Sequence, residues 1–293
     1  MKIIVTGSES FVGKEFIRQC NKNDIDIIGF DVIQKEVTDY EYHQIDIRSP
    51  EVLKHIPEGV DALIHLAALS RDPDCTGNAY ECFDVNVMGT LNLINAASVK
   101  KVKQFIFASS EWVYDEFKED EIKDEDSFTN IANHHSEYAL SKLVSESNLR
   151  QKYEQGFCAV TILRFGIIYG PRKQNWAAVE SLMSAVKNQS EVKVGSLKNA
   201  RRFIHILDLA NGIKKSIGLS GFNILNLTGN KLITLQEIIK KSQMLLGRSV
   251  LIIETDPTHV NIRNPSNDRA KKILNWNQEI TLEKGLKTIS DYI

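Results

Sequence analysis

No stretch of the 293-residue chain narrows the fold more than Lys2 to Asp31. Lys2-Ile3-Ile4-Val5-Thr6 reads as a short buried strand, and Gly7-Ser8-Glu9-Ser10-Phe11-Val12-Gly13 follows as a glycine-bearing turn. A helix is expected from about Phe11 to Cys20, then a second strand from Ile25 to Phe30 that ends on Asp31. Strand, glycine turn, helix, strand and acidic residue in this order make a dinucleotide-binding arrangement. Gly7 permits the tight turn and Gly13 the close approach of helix to strand. Backbone N–H groups around Ser10, Phe11 and Val12, at the positive end of the helix, can hold a pyrophosphate. Ser10 stands where a second glycine would let the backbone come closer, so binding is expected to be weakened rather than abolished. Asp31 would accept from both ribose hydroxyls of NAD and repel the extra phosphate of NADP. No arginine or lysine follows before Lys35, and NAD is the expected cofactor.

Strands and helices keep alternating. His43 to Ile47 reads as a strand with Asp46 near its end, and a helix is expected to begin near Ser49-Pro50. Ala62 to Leu66 reads as a buried strand opening into Ala67-Ala68, small residues that would let a dinucleotide lie across the strand ends. A long helix is expected from about Asn78 to Val99, carrying Asn86, and the strand Gln104 to Ala108 delivers Ser109-Ser110-Glu111 to the same edge. Residues 115–135 form a charged segment that reads as a solvated loop. After a further helix comes the strand Ala159 to Arg164. Apolar strands alternating with helices predict an α/β fold, a Rossmann-type doubly wound parallel sheet covered on both faces. The expected division is a nucleotide-binding domain over 1–170, with part of 201–227 returning to it, and a smaller α/β lobe over 171–293.

Composition removes other classes. A formal net charge of −2 argues against a protein held mainly by nucleic acid or an anionic membrane surface. No apolar run approaches the length of a bilayer-spanning helix. Cys20, Cys75, Cys82 and Cys158 show no paired spacing, and the seven histidines add no zinc pattern, so no metal is expected. Entry into a strand at Lys2 shows no signal-peptide pattern; with unpaired cysteines it leads to a cytoplasmic expectation.

In Ser136 to Ser147, Tyr138 and Lys142 lie four residues apart, which puts a phenol and an ammonium on one helix face. A nearby cation favours the phenolate, and a phenol so tuned can act as a general base near neutral pH. On its own that spacing is common.

Together these motifs resemble, in order, the extended short-chain dehydrogenase/reductase family, most closely its nucleotide-sugar epimerase/dehydratase branch. The resemblance covers roughly Met1 to Trp276. It rests on Thr6-Gly7…Gly13, Asp31, Asp46, His65-Leu66-Ala67-Ala68, Asn86-Val87-Met88-Gly89-Thr90, Ser109-Ser110-Glu111-Trp112-Val113-Tyr114 and Tyr138…Lys142. Further on come Leu163-Arg164…Tyr169-Gly170-Pro171-Arg172 and Arg201-Arg202-Phe203-Ile204-His205…Asp208. The resemblance implies that Tyr138 takes the proton of a sugar hydroxyl, normally at C4, with NAD as oxidant. Lys142 would lower the tyrosine pKa and hold the nicotinamide ribose, and Ser110 would bond the reacting oxygen. It places Asp46, Ile47, Leu66, Ala67, Ala68 and Asn86 at the cofactor, and Arg172, Arg201 and Arg263 at a nucleoside diphosphate. It also implies a homodimer built on the helices at 78–99 and 138–154.

The product turns on two residues. Sugar-nucleotide dehydratases of this family typically carry an acid and then a glutamate after the serine. Here Glu111 occupies the first position and Trp112 the second, and tryptophan cannot abstract a proton. The expected activity is therefore a nucleoside-diphosphate-sugar 4-epimerase, with a 4,6-dehydratase or C4 oxidase/reductase as the alternative. A non-catalytic NAD-binding regulator is the reading from another class, prompted by Ser10 and Asp115.

Overall fold

The computed structural model describes residues 1–20, 25–35, 39–118 and 120–293. Among these, the central sheet has seven strands, of which β1 (Lys2–Thr6), β2 (Asp26–Asp31) and β3 (Glu41–Gln44) form one side. β4 (Ala62–His65), β5 (Gln104–Ser110), β6 (Ala159–Phe165) and the strand Phe222–Leu227 continue on the other side of β1. β1 pairs in parallel with both β2 and β4, β2 with β3, and β4 with β5. The chain thus builds outward from β1 to β3 and then outward the other way from β4. The order reverses between β1 and β4, the place where open α/β sheets bind ligands.

Burial explains why these runs are strands. Ile3, Ile4 and Val5 are completely buried, as are Ala62, Leu63 and Ile64, so both faces of the sheet are covered and the runs need no polar alternation. Helix α1 (Phe11–Cys20) buries Gly13, Phe16, Ile17 and Cys20. The expected helix at 78–99 is interrupted. Ala79–Phe83 and Gly89–Val99 are α-helical, and a wider π-type turn, Asp84–Met88, joins them and carries Asn86. Such turns insert one residue into a helix and are frequent at functional sites.

Two compact units result. The first comprises Met1–Asp115, Phe128–Arg164 and Ala210–Leu225; the second comprises Glu116–Ser127, Phe165–Leu209 and Asn226–Ile293. The second has its own apolar core around Tyr169, Val179, Met183, Phe203, Ile238 and Leu286. The chain leaves the first unit at Phe165 and returns to it over Ala210–Leu225. The acidic segment is also not simply a solvated loop. Lys123 and Glu125 are buried, Glu125 accepts from the Asn226 N–H at 2.7 Å, and Arg269 lies 3.4 Å from its other oxygen. Local charge density predicts exposure, but Glu125 is matched by partners far along the chain and Lys123 Nζ donates to the Glu116 oxygen at 2.7 Å; Glu119 of the same run lies outside the described residues. Among the described residues no helix is long and apolar enough to cross a membrane.

Candidate active site

The turn after β1 is shaped by close backbone approach. Gly7 has φ +68°, and a Cβ there would sit 2.8 Å from the Ala67 nitrogen. A Cβ on Gly13 would lie 2.2 Å from the Gly7 oxygen. Only glycine fits at either place, and the bare backbone of the turn is brought directly beside Leu66-Ala67-Ala68. The Ala67 N–H donates to Thr6 Oγ1 at 3.2 Å, fixing that segment to the end of β1. Ser10 Oγ accepts from the Gly13 N–H at 3.0 Å. Its hydroxyl therefore caps α1 and occupies one of the helix-end donors. Asp31 terminates β2, and its oxygens accept from the N–H groups of Glu9 at 2.9 Å and Ile33 at 3.2 Å. Two glycines a side chain would obstruct, a helix N-terminus and a carboxylate at the second strand end fit an NAD dinucleotide.

Asp46, Ile47 and Asn86 also hold other parts of the first unit together. Asp46 accepts from Arg48 through Nε and Nη2 and through its backbone N–H, which pulls its carboxyl below the usual range, chiefly through the side-chain bond. Ile47 is buried against Gly89, where a Cβ would meet its side chain at 2.6 Å. Asn86 clamps the backbone of Leu69, accepting its N–H at 2.8 Å and donating to its oxygen at 3.0 Å, and also donates to Ser141 Oγ at 3.0 Å. It ties the strand-end segment to the helix that bears Tyr138.

That helix spans Glu137–Glu154, and Ser136 caps it by accepting the Ala139 N–H at 3.2 Å. Tyr138 lies in its first turn, packed in a cluster with Cys75, Cys82, Leu69 and Trp112. Lys142 is buried one turn on. Its Nζ donates to the Ala108 oxygen at 2.9 Å and lies 4.8 Å from the centre of the Phe107 ring and 5.9 Å from that of Tyr138. Burial pushes its ammonium down from 10.5 to about 8, opposed by Cys82, Cys75 and Glu146. Ser110 ends β5, its Oγ accepting from the Trp112 N–H at 3.2 Å, and Glu111 is fully buried in the following turn.

Beneath these lies a network that single-residue motifs do not reveal. Glu146, one turn beyond Lys142, receives Arg164 of β6 through Nε at 3.0 Å and Nη2 at 2.7 Å, and receives Ser109 Oγ. The Arg164 guanidinium lies 4.9 Å from the Tyr114 ring. Burial works against its charge, but Glu146 more than offsets this and holds it protonated. The i, i+4 step from Lys142 to Glu146 was the available signal; its partner on β6 was not.

The arginines expected at a diphosphate belong to the second unit. Arg172 bonds buried Glu180 at 2.7 Å and the Ile168 oxygen at 3.1 Å. Burial raises the Glu180 carboxyl against the pull of Arg172. Arg201 donates to the oxygens of Ala200 and Asn261 and to Asn261 Oδ1. Arg263 is buried with its guanidinium 5.1 Å from the Phe117 ring, which Lys123 also faces at 5.0 Å. Phe117 and Lys123 were not anticipated from sequence, because they lie in the run that reads as a loop.

The model of the NAD dependent epimerase/dehydratase family matches residues 3–221. The chain belongs to that family. NAD is the family's cofactor, as expected from the sequence. A UDP-glucuronate 4-epimerase of Thermodesulfobacterium geofontis is 28% identical over 263 residues, covering 86% of this chain and 79% of its own. An uncharacterized UDP-glucose epimerase of Bacillus subtilis is 26% identical over 320 residues, covering 100% of this chain and 98% of its own. The solved UDP-glucose 4-epimerase of Thermus thermophilus, a complex with NAD, superposes with a TM-score of 0.86 at 20% identity, covering 100% and 98% of the two chains. It shares the whole fold with this NAD-dependent family member.

Proposed function

We propose that this family member is a nucleoside-diphosphate-sugar 4-epimerase. The observation that carries the reading is Trp112, packed against the buried cluster that contains Tyr138, at the position where a dehydratase of this family would carry glutamate. An indole offers no base for a C5 proton. The similarity to a UDP-glucuronate 4-epimerase supports the same choice.

In this reading bound NAD supplies the reversible oxidation at the sugar carbon. Tyr138 Oη accepts the proton of the C4 hydroxyl. Lys142, with Nζ anchored on the Ala108 oxygen, keeps a positive charge near the phenol at neutral pH, because its pKa of about 8 leaves it mostly protonated. Ser110 accepts from Trp112 N–H and so retains its own proton to donate to the reacting oxygen. Asp31 holds the adenosine ribose, the Gly7–Gly13 turn the pyrophosphate, and Arg172, Arg201 and Arg263 the substrate diphosphate. Glu111, fully buried next to Ser110, favours the second reading, a dehydratase in which it serves as the acid.

Incubation with UDP-glucose, UDP-N-acetylglucosamine and UDP-glucuronate is expected to yield a C4 epimer with no net NADH. A 4-keto-6-deoxy product would overturn epimerisation in favour of dehydration, and NADH accumulating with a stable ketone would indicate net oxidation. Tyr138→Phe should reduce turnover by about 10²–10⁴-fold, the usual contribution of a general base, while NAD binding measured by calorimetry is retained.

A further inference from the structure

The turn between β1 and α1 carries a carboxylate that the glycine pattern does not call for. Glu9 lies between Gly7 and Ser10, and its backbone N–H donates to Asp31 Oδ2 at 2.9 Å, so the two acidic residues are tied together at the adenosine end of the site. The Glu9 side chain is buried and collects three donors. Lys35 Nζ reaches Oε1 at 2.8 Å, the Tyr40 hydroxyl reaches the same oxygen at 2.7 Å, and Lys14 Nζ lies 3.4 Å from Oε2. Tyr40 is itself wedged against β2, where a Cβ on Gly29 would come within 2.4 Å of its ring. Burial pushes the Glu9 carboxyl up, but the bonds from Lys35 and Tyr40 more than offset this, so the group is charged at neutral pH.

Lys35 is the first cation after Asp31 in sequence, and Lys14 stands in the opening turns of α1. A site that accepts NADP needs a cation near the ribose 2′ position. We infer that Glu9 is a second determinant of cofactor choice, adding a negative charge beside Asp31 and engaging Lys14 and Lys35, the cations that would otherwise receive a 2′-phosphate. Asp31 rejects the phosphate directly; Glu9 withholds its counter-charges. The inference holds whichever sugar reaction the site performs, but rests on the cofactor placement proposed above.

The test is calorimetric titration of the full chain with NAD and NADP. Glu9→Gln keeps the side chain's shape and removes its charge. It is expected to tighten NADP binding by at least about tenfold, the scale of one nearby charge at intermediate dielectric, and to change NAD affinity much less. Adding Lys35→Ala to that variant should remove most of the gain. A Glu9→Gln protein that binds NAD normally with an unchanged preference overturns the inference. Lys35→Ala alone provides the second arm: NADP binding equal to or weaker than the parent's supports the inference, because a withheld cation contributes nothing until Glu9 releases it, and tighter binding overturns it. Asp31→Ala separates the two levels. Unaltered NAD affinity in that variant would overturn the cofactor placement itself, whereas lost NAD affinity with no shift in Glu9→Gln overturns the role of Glu9 alone.

Discussion

Two charged clusters in the first unit use the same chemistry in opposite surroundings. Under the Tyr138 helix, Arg164 and Glu146 form a two-pronged pair with both side chains 6% exposed. At the surface, Arg48 bonds Asp46, Glu81 and Asp84 with its own side chain 34% exposed. The outer cluster has more partners. The inner one should matter far more, because removing one partner leaves a charge where water cannot replace it, whereas water and salt substitute freely at Arg48. Partner number does not measure the importance of an ion pair; the solvent excluded from it does.

The comparison can be broken most directly at its buried end. Arg164→Ala is expected to lower unfolding free energy by about 3–5 kcal/mol in urea titrations at pH 7. The double change Arg164→Met with Glu146→Leu should recover most of that loss, since no lone charge remains buried. A single substitution costing under about 1 kcal/mol would show that the inner pair behaves like a surface pair.

Lys142 sharpens the contrast from the other side, because its burial works against its charge with no carboxylate bonded to it among the described residues. Its folded-state pKa is about 8 against an ordinary 10.5, so below about pH 8 both folded and unfolded states carry the charge and the folded state bears the full desolvation cost. From pH 8 toward 10.5 the unfolded chain binds more protons than the folded one, and stability contributed by this group rises. Lys142→Met is thus expected to stabilise the protein at pH 7 by at most about 3 kcal/mol, less the lost bond to Ala108, while abolishing turnover. Thermal melts of parent and variant should converge as pH rises through that window. A variant destabilised at pH 7 would contradict the sign.

The smallest effect is expected at the surface. Arg48→Ala should change stability by about 0–1 kcal/mol, and the difference should vanish in ~1 M salt. A larger, salt-insensitive loss would mean that Arg48 acts through Asp46 on the first unit's packing rather than as a screened charge.

Much of this was legible along the chain, for identifiable reasons. Backbone constraints are local, so Gly7, Gly13 and Asp31 announce the turn and the second strand end within one short stretch. The helix face shared by Tyr138 and Lys142 is likewise a four-residue statement, and Ser136 marks its start. Residues whose role depends on a partner far away were silent. Arg164 meets Glu146 only when β6 lies beside the helix, and Glu125 looks like a solvated charge until Asn226 and Arg269 are set against it. Glu9 falls at an unspecified position of the glycine pattern and gains meaning only from Lys35 and Tyr40.

The sequence by itself determined the doubly wound sheet and the expectation of NAD, because strand periodicity, glycine turns and strand-end carboxylates are read over a few residues, and its ordered motifs carried the resemblance to the family. Tertiary structure alone decided which charges are buried and paired, that Asn86 clamps Leu69, and that Trp112 packs against the cluster of Cys75, Cys82 and Tyr138. Burial is a property of everything that surrounds a residue. No window along the chain contains it.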